Sequence, residues 1–151
     1  MRLMWAVDHA LQRTSKQMNR SLGLTGPQRL VVRLLGRTPG MSAGQLAAEL
    51  HLDPSTLTGI LQRLESRRLV QREKDPADAR RLRLSLTSRG HLLDAPVPGT
   101  IEAALTRALQ GRAPREVNAA RSVLTAISEE LSAAPGHLRA RSTRKPTRRT
   151  R

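Results

Sequence analysis

The stretch Leu69-Val-Gln-Arg-Glu-Lys-Asp75-Pro-Ala-Asp78-Ala-Arg80-Arg-Leu-Arg-Leu-Ser-Leu86 reads as two short strands joined by a turn. From Arg81 to Leu86 the alternation is strict, with Leu82, Leu84 and Leu86 on one face and Arg81, Arg83 and Ser85 on the other. That is the period of a half-buried strand. Leu69 to Lys74 supplies the partner strand, and Asp75-Pro-Ala-Asp78-Ala supplies the turn chemistry between them. The use of such a hairpin is set by what precedes it.

Upstream, Asp53-Pro54 is a helix start, with Asp at the N-cap and Pro at the first helical position. The helix it opens places Leu57, Ile60, Leu61 and Leu64 on one face and Ser55, Thr56, Thr58, Gly59, Gln62 and Arg63 on the other. Before it, Ser42-Ala-Gly-Gln45 has the form of a capping box and opens a short helix with Leu46, Ala47 and Leu50 inward. A short helix, a tight turn and an amphipathic helix with a small polar outer face is how a helix-turn-helix reads, and the hairpin behind it is then a wing.

Further upstream, Thr25-Gly-Pro-Gln28 repeats the capping box for a helix carrying Leu30, Val31, Leu34 and Leu35, with Gly36 as its expected stop. Residues 3 to 20 form an amphipathic helix with Leu3, Val7, Ala10, Leu11 and Met18 near helical spacing. Beyond Thr87 the chain is helical again, broken at Pro96-Val-Pro98-Gly99, and Ile101, Ala104, Leu105, Ala108 and Leu109 make an apolar stripe. A last helix from Pro114 carries Val117, Ala120, Leu124, Ile127 and Leu131, a heptad-like seam that asks for another helix.

Composition agrees with a mainly helical protein. Its 151 residues suit one domain, and with Trp5 the single aromatic and no cysteine, the core is built from aliphatic side chains. Disulfides, thiolate chemistry and Cys-based zinc sites are excluded. No apolar run approaches the ~18 residues of a membrane span, which points to a soluble, cytoplasmic protein with no membrane partner, nucleoid-associated if its basic charge serves DNA. The net charge is +15; seven cations crowd Arg139–Arg151, and the remaining 20 basic and 12 acidic residues still leave +8. A polyanion is the natural partner.

These residues resemble the MarR family of winged helix-turn-helix transcriptional regulators. The likeness is most specific from Leu69 through the Asp-x-Arg at Asp78–Arg80 to the Leu-Thr-x-x-Gly of Leu86–Gly90. Leu22-Gly-Leu-Thr25, Gln45-Leu-Ala, Leu57-Thr58 and Arg63-Leu-Glu65 fall where that family has similar residues. The resemblance implies one domain over residues 1–134, with dimerisation helices in 1–22 and 88–134 around a DNA-binding lobe in 25–87, and 135–151 left as a disordered basic tail. It implies a homodimer on a near-palindromic duplex, and in many members a pocket for a small aromatic or phenolic effector. Three positions depart from it: Arg68 replaces a usual Gly, at about 1–2 kcal/mol if its backbone is left-handed. Ala79 replaces a frequent wing Arg, and Ala113 replaces an N-cap Ser, at roughly 1 kcal/mol. The first helix also opens at Met1, a turn shorter than the family leads one to expect.

On this basis the candidate DNA-binding side chains are Ser55, Thr56, Thr58, Gln62 and Arg63 on the recognition helix. Gln62 suits adenine, and Arg63 suits guanine or phosphate. The alternative is an ordinary solvated helix face. Arg80 is the candidate minor-groove probe, oriented by Asp78, unless that pair only staples the turn. Lys74, Arg81 and Arg83 are expected on phosphates. Ser42 is either a phosphate ligand through its amide and hydroxyl or only a cap. Trp5, His9 and Arg13, at i, i+4 and i+8, are candidate effector residues; otherwise they are dimer core, interface hydrogen-bonder and solvated charge. His9, His51, His91 and His137 have no metal spacing, so neither metal nor cofactor is expected. The acids are accounted for as a cap (Asp53), a wing partner (Asp78) and surface charges, so no enzyme is expected. The competing function is a non-specific nucleoid-type or RNA-binding protein.

Overall fold

The computed structural model describes residues 1–76, 78 and 80–133. The tail expected to be disordered (135–151), with His137, and the departure at Ala79 lie outside the described residues. The elements in chain order are α1 (Arg2–Leu22), α2 (Gly26–Arg37), α3 (Ala43–Glu49), α4 (Pro54–Ser66), β1 (Val70–Lys74), β2 (Leu82–Leu86), α5 (Ser88–Asp94), α6 (Ile101–Leu109) and α7 (Pro114–Ala133). They divide into two compact units, Met1–Ala108 and the chain from Leu109 onward.

Local chemistry starts most of these elements. At α2, Gln28 Oε1 accepts from the Thr25 amide at 3.0 Å. At α3, Ser42 Oγ accepts from the Gln45 amide at 3.2 Å while Gln45 Oε1 accepts from the Ser42 amide at 2.9 Å, closing a reciprocal capping box. Asp53 occupies the N-cap of α4, but its side chain makes no capping bond; Pro54 and the Leu57 amide on the Asp53 carbonyl start that helix instead.

β1 and β2 pair antiparallel with Val70 opposite Leu86 and Lys74 opposite Leu82. Met41, just before α3, adds an isolated bridge to Leu84 that strand periodicity does not reveal. The core of this winged lobe is aliphatic: Leu24, Val31, Val32, Leu35, Leu46, Ala47, Leu57, Ile60, Leu61, Leu64, Leu69, Val70, Leu84 and Leu86 are all buried. Leu82, expected to share the buried face, is half-exposed because the hairpin outruns the core.

One expectation for α2 is corrected. Gly36 does not stop the helix, which runs on to Arg37. Its lack of a side chain serves packing, since a β-carbon there would stand 2.2 Å from Asp94 Oδ2 of α5. Leu30 is half-exposed, while Arg29 beside it is only 1% exposed.

α6 buries no residue, and the residues of α1 up to Arg13 are exposed, Leu3 and Val7 among them. α7, in the second unit, likewise buries none, leaving Leu124 and Leu131 of its seam exposed. At its start the missing Ser cap is partly replaced, because Glu116 Oε2 accepts from the Ala113 amide at 2.9 Å. No described helix is long and apolar enough to cross a membrane.

Candidate nucleic-acid interface

α4 packs Leu57, Ile60, Leu61 and Leu64 inward, so its other face is open by geometry. Ser55, Thr56, Thr58, Gln62 and Arg63 are all exposed there. Thr58 donates its hydroxyl to the Pro54 carbonyl at 2.8 Å, which leaves a methyl and an acceptor to face outward. A β-carbon at Gly59 would meet nothing within 4 Å, so no contact inside the chain demands glycine. Ser42 keeps less for an anion than its type suggests: its amide and an acceptor of its hydroxyl are engaged with Gln45, leaving the hydroxyl proton.

At the wing, Asp78 Oδ1 accepts from both the amide and Nε of Arg80, each at 3.1 Å. Its second oxygen lies 3.5 Å from Arg81 Nε. One carboxylate therefore shapes the turn and aims a guanidinium, joining the two roles that sequence kept apart. The Arg80 side chain is 92% exposed, so screening leaves this pair little weight in stability and its effect is directional. Arg81 and Lys74 are exposed. Arg83 is less exposed than either arginine at the turn, and its Nε sits closer to a carboxylate, 2.8 Å from Asp75 Oδ2.

Several residues that position this surface escaped sequence analysis. Glu65 near the end of α4 accepts from Arg72 Nε of β1 at 2.6 Å, tying recognition helix to wing. Arg67 donates to the Gly23 carbonyl at the left-handed end of α1. Arg68, unlike these, is flagged in the sequence by its departure from glycine, and its backbone is left-handed, at φ 55°. His51, ending the turn after α3, is also left-handed, at φ 50°.

Trp5, His9 and Arg13 are exposed along α1. A cleft of about 300 Å³ lies elsewhere, lined by Leu30, Arg33, Leu34 and Arg37 of α2 with Glu49 and Leu50, and by none of these three. No group of three or more metal-ligating side chains occurs among the described residues.

The model of the MarR family matches residues 22–81, which run from the end of α1 to the wing. The organic hydroperoxide resistance transcriptional regulator of Bacillus subtilis is 32% identical over 102 residues, 66% of this chain and 69% of that protein. The next two relatives are matched over only 44% and 63% of their own length. Among solved structures, CouR from Rhodococcus jostii RHA1, bound to p-coumaroyl-CoA, superposes with a TM-score of 0.69 at 28% identity, over 83% of this chain and 89% of its own. A Staphylococcus aureus MepR–DNA complex shares the fold, with a TM-score of 0.70 at 20% identity over 85% and 94% of the two chains. The order of helices, the two-stranded wing and these likenesses agree, and the chain belongs to the MarR family of winged-helix transcriptional regulators, which are DNA-binding proteins and not enzymes.

Proposed function

We propose that this chain acts as a cytoplasmic homodimer that binds a near-palindromic operator in double-stranded DNA sequence-specifically and represses transcription until a small aromatic or phenolic effector releases it. The observation that carries the specific-binding part is the exposed polar face of α4 beside a wing whose Arg80 is aimed by Asp78. Gln62 and Arg63 read base edges in the major groove, Arg80 enters the minor groove, and Lys74 and Arg81 neutralise phosphates. Residues 25–87 form the DNA-binding lobe, and residues 1–22 and 88–134 the dimerisation helices of one functional domain. Their exposed apolar residues, Leu3, Val7, Leu105, Leu124 and Leu131 among them, support that division. Trp5, His9 and Arg13 are the effector candidates, and the CoA thioester held by CouR makes an aromatic acid or its thioester the first compound to try.

The test is a competition gel shift and footprint on the chain's own upstream DNA against excess random duplex, with the full chain and a version ending at Pro135. A preference of about a thousandfold or more in both supports a specific regulator. The basic tail favours the competing function, a non-specific nucleoid-type or RNA-binding protein. Binding that random DNA abolishes, or that disappears with the tail, would establish it instead. Loss of the shifted band on adding p-coumaroyl-CoA or a phenolic acid tests the release.

A further inference from the structure

Arg29 lies in the first turn of α2 and is 1% exposed. A guanidinium carries five donors and cannot lose its charge, so burial demands that the site be built around it. Its Nε and Nη2 both lie 2.7 Å from Glu102 Oε1 of α6. Nη2 also donates to the Ala95 carbonyl at 2.8 Å, and Nη1 to the Leu93 carbonyl. One turn further along α2, Arg33 donates to both the carbonyl and the carboxylate of Asp94. One more turn brings Gly36 against that same carboxylate.

One face of α2 thus grips the end of α5 and the start of α6. The carbonyls it takes are those that a helix C-terminus leaves without partners, at the negative end of its dipole. From Ala95 to Thr100 the chain carries two prolines and no regular structure. No continuous helix therefore fixes the direction in which α6 leaves the lobe, and these side chains hold that corner.

We propose that Arg29 is a positioning residue: by clasping Glu102 and the last carbonyls of α5, it sets the angle at which α6 leaves the winged lobe, and so the half-site spacing the dimer accepts. The inference rests on the dimeric, palindrome-binding function proposed above. Arg29 itself is buried and touches no DNA. A change of one base pair in spacing moves a half-site by about 3.4 Å and about 35°, enough for a fixed angle to discriminate.

The test measures full-length wild type, Glu102→Gln and Arg29→Leu on single half-sites and on operators whose half-sites are moved by one or two base pairs in either direction. Light scattering and circular dichroism monitor the dimer and fold. Wild type is expected to lose about tenfold in affinity per base pair of displacement, the scale of one mismatched contact. Glu102→Gln keeps the carbonyl contacts of Arg29 but removes the carboxylate. It is expected to bind a single half-site as wild type does while its spacing preference flattens to within about threefold. Arg29→Leu, if it folds, should flatten it further. Folded dimeric variants with wild-type spacing preference overturn the proposal, and so does failure of both to fold, which would make Arg29 a stability element alone. A wild type that is monomeric or indifferent to spacing refutes the dimer–palindrome function itself, an outcome seen before any variant is compared.

Discussion

The hydroxyl of Thr87 donates to the Arg68 carbonyl at 2.6 Å and accepts from the Gly90 amide at 3.1 Å. One side chain therefore caps α5 and clamps the left-handed turn between recognition helix and wing. Arg68 is held at φ 55° by this clamp and by its own amide on the Glu65 carbonyl, although an L side chain is strained there.

Arg68→Gly should relieve that strain. The left-handed penalty of about 1–2 kcal/mol is offset in part by the extra freedom glycine gives the unfolded chain, so a net gain of about 0.5–1 kcal/mol is expected. Urea unfolding measures it, and a destabilised variant would mean that the Arg side chain contributes more than its backbone costs.

Gly90→Ala should do the opposite. A β-carbon at Gly90 would stand 2.1 Å from the Leu69 carbonyl oxygen, which is backbone and cannot swing aside. A loss of about 3 kcal/mol or more is expected, at the upper end of overpacking. An unchanged thermal midpoint would show that α5 and the wing can part without cost.

Arg80→Ala should weaken operator binding by about 1–3 kcal/mol and leave the unfolding curve unchanged, because the side chain is almost wholly exposed. Asp78→Asn removes the aim and not the probe, so a smaller loss, under about 1 kcal/mol, is expected from the same titration. Equal losses in both variants would make Asp78 indispensable to the wing's shape.

Glu102 gives the fold an acid limb. Burial alone would raise its carboxyl, but its own amide, Arg29 and Thr100 together outweigh this and hold it below the ordinary carboxylate value. A lowered value means stability that is present above the usual carboxylate range and lost as pH falls through the folded value. The gap in urea midpoint between wild type and Glu102→Gln should therefore be widest near neutrality and close as pH falls below the usual carboxylate range and through the folded value. A gap independent of pH would assign the difference to packing.

Ile127→Asp should test the seam on α7. If that seam is dimer core, a carboxylate in it costs several kcal/mol of association and abolishes operator binding, read by light scattering and gel shift. A dimer that persists and binds would place the interface elsewhere.

Much of the winged lobe was legible because it is written in short-range code. Capping boxes act over three residues, strand alternation over two and an amphipathic face over three or four, so Ser42–Gln45, Leu82–Leu86 and Leu57–Leu64 each declare their element. The exposed residues of α4 follow directly, since a buried face defines its opposite. Asp78 and Arg80, two residues apart, also lie within that range.

What sequence could not settle depends on partners far along the chain. Arg29 looks like one more surface cation until residues 93, 95 and 102 close around it, across separations of 64 to 73 positions. Gly36 reads as a helix stop until Asp94 arrives beside it. Arg83 reads as an unpaired cation until Asp75 meets its Nε. Local spacing specifies which face of an element is apolar, because backbone geometry sets the period; which charges are buried and which remain available for a ligand is a property of the packed chain, because only there do desolvation and a distant partner meet.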